Sequence, residues 1–194
     1  MSIYVEKSKK TKKLIQQSFL EILETQSFDT IKISDITNKA NINRGTFYLH
    51  FEDKYDLLDK MEMQLFEELG SHIDELQSTY SFNQSFEKTQ IDLAMTLFSF
   101  IQMHAQMLRI FLSGHGRAGF HFRFREAVTK KVHNNLAENE GIKQYLNVPL
   151  DYFLAFITSA FLGLIEQWLY NNLDKTPEQL TQIYINTIQF IKQK

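Results

Sequence analysis

The 194-residue chain has no cysteine, two prolines and seven glycines. The missing thiols exclude a disulfide scaffold and thiolate catalysis. Proline and glycine are the commonest helix breakers, so their scarcity permits long helices. The lysine-rich N-terminus has no apolar stretch typical of a signal sequence, and polar side chains interrupt the two most apolar windows, residues 93–112 and 150–169. We therefore expect buried helices, no membrane association and a cytoplasmic location.

Charge is distributed unevenly along a chain of otherwise ordinary composition. Hydrophobic residues make up 43% and charged residues 23%, as in many soluble globular proteins. Residues 1–50 carry a formal charge of +3 and residues 51–194 one of −5, which gives the net charge of −2. A mildly basic front on an acidic body suits a protein that presents its N-terminal end to a polyanion.

The spacing of apolar residues predicts helices along the whole chain and no convincing strand. The predicted helices cover residues 9–26, 33–40, 44–50, 52 to near 70 or a little beyond, 93–111, 120–137, 149–170 and 177 onward. Residues 120–125 alternate in polarity, so a short extended segment is the alternative there. The expected fold class is all-α: a three-helix helix-turn-helix domain over residues 1–55, followed by a helical ligand-binding and dimerisation domain over residues 56–194.

The second and third predicted helices are separated by only three residues, 41–43, which is typical of a helix-turn-helix. Ala40 is small enough to let the third helix cross closely. Asn41 tolerates the left-handed conformation with which a chain leaves a helix. The apolar contacts between the helices are expected from Ile33, Ile36, Ile42, Phe47 and Phe51.

The other face of the third helix has side chains suited to duplex DNA. Arg44 suits bidentate bonding to guanine or contact with a phosphate, and Gly45 lets the backbone approach the duplex. Thr46 suits a thymine methyl or a phosphate, and Tyr48 and His50 are donors for phosphate oxygens. Further cations for phosphates are expected at Lys54, which begins the fourth helix, and upstream at Lys12 and Lys13.

The stretch from Ile33 to Leu58, ISDITNKANINRGTFYLHFEDKYDLL, resembles the DNA-binding signature of the TetR family. The resemblance covers about residues 9–58. It implies DNA contacts at Arg44, Thr46, Tyr48, His50 and Lys54, and a phosphate contact from Ser34; Asn43 completes the candidate set.

Two residues depart from the family pattern. Asn41 stands where glycine is usual, and asparagine is the next best residue for that turn. Lys32 stands where a serine or threonine cap is common, so Ser34 or Asp35 is expected to compensate. The C-terminal half, around residues 150–173, resembles the regulatory domain of regulators from Gram-positive bacteria, including those of dihydroxyacetone kinase.

Other motifs do not support an enzyme. Residues 114–119, GHGRAG, match the dinucleotide pattern G-x-G-x-x-G, but a helical stripe precedes them where a strand is needed. His115, His121 and His133 are not spaced as a metal-binding pair and no cysteine joins them. No catalytic constellation is found, so we expect no enzyme, no cofactor and no metal.

Two sets of residues in the C-terminal half are candidates for binding, with plain core packing as the alternative for each. The candidates for a ligand pocket are Phe98, Met103, His104, Met107, Phe111, Phe156 and Trp168. The candidates for a dimer interface are Ser159, Ala160, Gly163, Leu180, Ile183, Tyr184, Thr187 and Ile191.

These features predict a homodimeric transcriptional repressor that binds a palindromic operator and is released by a small-molecule effector. The alternative is an activator or co-regulator that has the same fold and acts through a protein partner.

Overall fold

The computed structural model describes residues 3–78, 86–113, 117–137 and 148–192. These ranges are helical apart from short turns, which confirms the all-α class. The helices are α1 (Ile3–Leu23), α2 (Ile33–Lys39), α3 (Arg44–Tyr48), α4 (Lys54–Ser78), α5 (Phe86–Met103), α6 (Ala105–Leu112), α7 (Phe120–Ala137), α8 (Leu150–Tyr170) and α9 (Pro177–Lys192), with a 3-10 turn at Phe28–Thr30.

Two helices are longer than the sequence predicts. α1 begins at Ile3 rather than Lys9, and α4 continues through Gly70 to Ser78. The N-terminal turns of α1 carry too few apolar residues to show periodicity. A single internal glycine costs a helix only about 1 kcal/mol, which packing along the rest of α4 offsets.

The single helix predicted across residues 93–111 is two helices, and that prediction is wrong. α5 ends at Met103, α6 begins at Ala105, and His104 forms the turn between them. The apolar residues keep the same spacing on both sides of His104, and neither proline nor glycine marks the break. Periodicity alone therefore does not detect it.

The described chain forms two compact units. One comprises the residues up to Leu65 together with Gln106–Phe120, and the other comprises Phe66–Ala105 and the residues from His121 onward. α4 and the α5–α6 junction thus contribute to both units. The domain boundary predicted after residue 55 separates the DNA-binding residues from the rest of the chain and does not describe a compact unit. It stays a prediction.

The first unit is built around α1. α1 packs on α2, and α2 packs on α3. The Phe19 and Phe28 rings meet edge to face at 6.2 Å, and the Lys39 ammonium of α2 lies 3.0 Å from the Glu21 carboxylate of α1. The largest fully buried side chains of the first unit include Ile15, Phe19, Leu23, Ile31, Ile36, Phe47 and Phe51. This core holds the short helix α3 in place.

The second unit contains an aromatic cluster where α9 packs on α5. The Phe98 ring lies 4.6 Å from that of Phe161, 6.0 Å from Trp168 and 6.2 Å from Tyr184. The Trp168 indole donates a hydrogen bond to the carbonyl of Lys175 at 3.0 Å. The polar edge of this large ring is thus satisfied by the turn after α8.

α8 is the most apolar helix of the described chain. Its length and composition alone would also suit a membrane span, with 44% of its most apolar window buried in the fold. One face of α8 is buried within the second unit, as in the core helix of a globular protein. Those buried residues are Leu154, Ile157, Thr158, Phe161, Leu162, Ile165, Trp168 and Leu169.

Candidate nucleic-acid interface and core cavity

The turn between α2 and α3 is built as the sequence predicts. Asn41 has a φ of +50°, the left-handed conformation expected for it. The Ile42 amide donates to the Thr37 carbonyl at 3.0 Å, and the Asn41 amide donates to the Asn38 carbonyl at 3.1 Å. This pair of bonds is the Schellman motif, which satisfies carbonyls that α2 would otherwise leave open.

At the start of each short helix a side-chain oxygen accepts a hydrogen bond from a backbone amide. The Asp35 carboxylate accepts from the Lys32 amide at 2.8 Å, which confirms that Asp35 compensates for the missing hydroxyl cap of α2. Asn43 caps α3, because its Oδ1 accepts from the Thr46 amide at 2.7 Å and from the Thr46 hydroxyl at 3.0 Å. The polar groups of Asn43 and Thr46 therefore help to fix the start of α3.

Gly45 lies close to this cap as well as on the face predicted to approach DNA. A Cβ atom at Gly45 would lie 3.3 Å from Oδ1 of Asn43. That separation is tighter than an ordinary van der Waals contact, so any side chain at Gly45 would press on the capping amide. The structure thus supplies a second reason for glycine at this position.

The outward face of α3 presents a cation, a phenol and an apolar side chain. Phe47 is fully buried and anchors the helix, and its ring meets that of Tyr48 edge to face at 5.7 Å. Arg44 is exposed, Tyr48 is 54% exposed, and Leu49 is 79% exposed. Among the described residues no acidic side chain pairs with Arg44. This face is open to a polyanion.

The flanking candidates lie around the same unit. Ser34 and His50 are half-buried, and Lys13 is exposed on α1. Lys12 is half-buried, and its positive charge acts on the carboxyl of Asp56 at the start of α4. Contacts of these four candidates with DNA stay predictions.

The carboxyl of Asp56 is stabilised in its charged form. Its Oδ2 accepts from the Glu52 amide at 2.9 Å and from the Lys60 ammonium at 2.8 Å. Burial by itself raises the pKa of Asp56, but these bonds and the charges of Lys60 and Lys12 outweigh it and lower the pKa below its usual value. Asp56 therefore offsets part of the positive charge of Lys12.

Lys54 occupies a different position from the one that the sequence predicts. Its Nζ donates to the carbonyl oxygens of Phe28, Asp29 and Ile31 at 2.9, 3.0 and 2.9 Å, and it lies 4.8 Å from the Phe28 ring and 5.5 Å from the Tyr55 ring. An ammonium has three N–H donors, so all three are used within the protein. In this structure Lys54 binds the turn before α2 rather than reaching toward a phosphate.

The amides at the start of α4 are also occupied. Oδ1 of Asp53 accepts from the amides of Tyr55 and Asp56, both at 2.8 Å. The anion that the helix terminus favours is thus supplied by the chain itself. The amides of Tyr55 and Asp56 therefore do not add an open anion site beside Lys54.

A cavity of about 40 Å³ lies in the second unit among α5, α7, α8 and α9. Its walls are mainly apolar, with three polar side chains. The lining residues are Gln90, Leu93, Ala94, Leu97, Val128, Val132, Ile157, Thr158, Phe161 and Tyr184. None of the seven predicted pocket residues is among them.

The predicted pocket residues lie in different environments. Phe98 and Trp168 are buried beside cavity-lining Phe161, Phe111 is buried in the first unit, and Met107 is half-buried on α6. Met103 and Phe156 are exposed on their helices. The apolar stripes identified two of the helices around the cavity, α5 and α8, but not α7 or α9, and not which residues of each helix face the cavity.

His104 is half-buried, and its Nε2 atom is buried without a hydrogen-bond partner among the described residues. Its Nε2 lies 3.2 Å from the Glu68 carboxylate, but the two are not aligned as a hydrogen bond. Its ring lies 4.4 Å from that of Phe100. Burial lowers the pKa of His104 more than the charge of Glu68 raises it, so the ring is neutral at pH 7.

The predicted interface residues divide between two faces of α8 and α9. Leu180 and Tyr184 are buried, with the Tyr184 ring 5.7 Å from that of Phe161, so these two pack within the chain. Their assignment to a surface is therefore corrected: α9 carries two adjacent apolar stripes, and only one faces outward. The candidates that are exposed or half-buried are Ser159, Ala160, Gly163, Ile183 and Thr187; the side chain of Ile191 lies outside the described residues.

The remaining motifs add no second site. Gly114, His115 and Gly116 lie outside the described residues, as does the segment 138–147. The His121 ring lies 2.9 Å from the Glu166 carboxylate. Within the part of the chain that the structure describes, no cluster of three histidine or acidic side chains is placed to hold a metal ion.

α3 is short and capped, has an exposed basic face, and is held on two other helices by a three-residue turn. This arrangement defines a helix-turn-helix DNA-binding protein. Residues 20–61 match the family model for bacterial regulatory proteins of the tetR family. Residues 88–190, more than half of the chain, match a transcriptional regulator C-terminal region. The chain belongs to the TetR family of transcriptional regulators, which is a family of non-enzymatic proteins.

Known proteins similar to the chain agree with this assignment. The chain is 37% identical over 89 residues to an uncharacterised HTH-type transcriptional regulator, YxbF of Bacillus subtilis, covering 45% of this chain and 23% of that protein. It is 35% identical over 54 residues to the dhaKLM operon transcriptional activator DhaS of Lactococcus lactis, covering 28% and 29%. Each match thus spans less than a third of the curated relative.

A solved structure shares the whole architecture. A TetR transcriptional regulator from Streptococcus agalactiae has a TM-score of 0.61 with this chain and 25% sequence identity. The match covers 96% of this chain and 97% of that one. Both the N-terminal helices and the C-terminal helices therefore follow the fold of a family member.

Proposed function

We propose that the protein is a homodimeric repressor that binds a palindromic operator through α3 in the bacterial cytoplasm. The observation that carries the proposal is the outward face of α3, where exposed Arg44 and Tyr48 stand on a helix fixed by the buried ring of Phe47. Arginine and tyrosine supply donors for guanine edges and phosphates. A rigid backbone lets them make those contacts at little entropic cost.

Two copies are needed for a two-fold operator. Two recognition helices in successive major grooves lie about 34–36 Å apart, so they have to come from two subunits. α8 offers a surface for pairing, because Tyr152 and Tyr170 are 75% and 83% exposed at opposite ends of a face that includes Phe156 and Gly163. This exposed apolar face favours a homodimer through α8 and the outward side of α9.

The cavity in the second unit supports release by an effector. A molecule that prefers one arrangement of the helices shifts the population toward it by its differential affinity for the two states. If the favoured arrangement presents the two α3 helices at the wrong spacing, operator affinity falls. Binding and release are then two outcomes of one equilibrium.

Selection of bound sites from random duplex DNA tests the proposal. The expected result is an inverted repeat with half-sites one helical turn apart, and affinity that falls steeply with salt. Arg44→Ala and Tyr48→Phe should weaken binding by at least tenfold in gel shifts, while Arg125→Ala on α7 serves as the matched control. Binding by both variants as tight as that of the wild type would refute the recognition role of α3.

The alternative is activation of transcription through a protein partner. The similarity to DhaS, which is a transcriptional activator, favours it. Transcription in vitro from a promoter that carries the selected site separates the two: repression lowers the transcript and activation raises it.

A further inference from the structure

Among the described residues, no charged side chain lines the cavity among α5, α7, α8 and α9. The ten described residues of its lining are seven with apolar side chains and the polar residues Gln90, Thr158 and Tyr184. A carboxylate or phosphate transferred from water to such a site would lose its hydration without gaining a counter-ion, which is strongly unfavourable. A neutral molecule does not pay this penalty.

Two of the three polar side chains are available to an occupant. The Thr158 hydroxyl already donates to the Leu154 carbonyl at 2.7 Å and lies 3.3 Å from the Thr129 hydroxyl. Among the described residues, neither the Gln90 amide nor the Tyr184 hydroxyl has a hydrogen-bond partner. Tyr184 is 9% exposed, and burial raises its pKa to about 12, so its hydroxyl keeps its proton at neutral pH.

The cavity is also small. A water molecule needs about 10–15 Å³ of cavity volume, so a cavity of 40 Å³ has room for roughly three water molecules. A compact molecule with a short hydrocarbon part therefore fits, whereas a long chain requires the helices to move apart. Apolar walls bind the hydrocarbon part, and one donor–acceptor group satisfies Tyr184 or Gln90.

The geometry points to an uncharged, mainly apolar small molecule with one hydrogen-bonding group, such as an alcohol or ketone, as the occupant of this cavity. The inference that this occupant regulates DNA binding rests on the proposed function. Tyr184 of α9 and Ile157 of α8 line the cavity, and the outward sides of the same two helices form the proposed dimer surface. An occupant thus acts on the helices that set the spacing of the two subunits.

A matched pair of probes tests the charge preference on the full chain without DNA. 1-Butanol and butanoate share a four-carbon skeleton and differ in charge. We expect 1-butanol to shift the methyl NMR signals of Val128, Val132 and Ile157 with an affinity at least tenfold higher than that of butanoate. Equal affinities, or shifts confined to methyl groups elsewhere, would overturn the inference.

Three variants locate the binding within the cavity. Ala94→Val, which fills space, should weaken binding of 1-butanol, and Tyr184→Phe should weaken it about two- to tenfold through loss of one hydrogen bond. Tyr4→Phe, at an exposed tyrosine on α1, is the control and should leave the affinity for 1-butanol unchanged. Gln90→Lys adds a cation at the wall and should shift the preference toward butanoate. Unchanged 1-butanol binding in both Ala94→Val and Tyr184→Phe contradicts the assignment.

The outcome is independent of the test of operator binding. A protein that binds its selected DNA but neither probe refutes the ligand class and leaves the regulator role intact. A protein that binds 1-butanol in the cavity but no duplex DNA refutes the proposed function and leaves the cavity chemistry intact.

Discussion

Lys54 links two parts of the first unit through its side chain alone. Three carbonyl oxygens of the turn at residues 28–31 accept from its ammonium, and two aromatic rings flank it. All three carbonyls would lose this donor if the ammonium were removed, and the carbonyl of Phe28 would keep the bond from the Ile31 amide at 3.3 Å. A cation held in this way stabilises the position of α4 against the turn that leads into α2.

We expect Lys54→Met to destabilise the protein by about 2–4 kcal/mol, because it removes three charge-assisted hydrogen bonds to carbonyls of the turn at residues 28–31. Thermal and denaturant unfolding measure the change. Lys13→Met is the control: Lys13 is exposed, so its loss should weaken DNA binding without lowering the melting temperature. A Lys54→Met protein of normal stability but reduced DNA affinity would instead restore Lys54 as a phosphate contact.

Leu49 is an exposed apolar residue on a face otherwise suited to DNA. It is 79% exposed at the end of α3, next to Tyr48. Apolar side chains in the major groove contact the C5-methyl group of thymine. We expect that replacing one thymine of the selected half-site by uracil, which lacks that methyl, weakens binding of the wild type several-fold.

The Leu49→Ala variant completes that experiment. It should bind the thymine and uracil sites with nearly equal affinity, since the contact with the methyl group is already lost. If Leu49→Ala still discriminates between the two bases as strongly as the wild type, another side chain reads the methyl group.

At the scale of the elements, the turn between α2 and α3 depends on one backbone conformation. Asn41 has a φ of +50°, which glycine adopts freely and β-branched residues adopt only with strain. We expect Asn41→Gly to leave the free energy of unfolding unchanged or raise it by up to about 1 kcal/mol. Asn41→Val should lower it by about 1–2 kcal/mol.

Urea unfolding of the two Asn41 variants provides the measurement. Asn38→Val, in the last turn of α2 with ordinary helical geometry, controls for helix propensity alone. If Asn41→Val and Asn38→Val lose the same stability, the left-handed turn contributes nothing specific.

The prediction of these elements succeeded where the determining interactions are local. Asn41, Asp35 and the apolar spacing of α2 and α3 act within a few residues, so the turn, the cap and both helices are predictable. The break at His104 is different, because no local residue marks it. Phe100 precedes it by one turn of α5, whereas Glu68 comes from α4, and only the packed unit brings Glu68 next to His104.

At the scale of the whole molecule, the proposed function depends on assembly, since each subunit supplies one α3. Gly163 lies on the outward side of α8, and a Cβ atom placed there meets nothing within 4 Å. The subunit therefore tolerates a larger side chain at this position, whereas a partner packed against α8 does not.

We expect Gly163→Leu to shift the protein from dimer to monomer in sedimentation velocity and to lower affinity for the inverted repeat by at least tenfold. The fold should remain intact, as judged by circular dichroism. Lys130→Leu, at an exposed position on α7, is the control for an added apolar side chain. A dimeric Gly163→Leu protein would exclude this part of α8 from the interface.

Residues 33–58 alone were enough to identify the helix-turn-helix and its outward face, because capping, turn conformation and periodicity are short-range effects. The three-dimensional packing decided the rest. It directed Lys54 inward to three carbonyls, turned Leu180 and Tyr184 of α9 toward the core, and arranged four helices around a cavity whose lining no stripe on a single helix reveals. These features depend on contacts between residues far apart in the chain, and a pattern along one helix carries no information about which neighbour will cover each face.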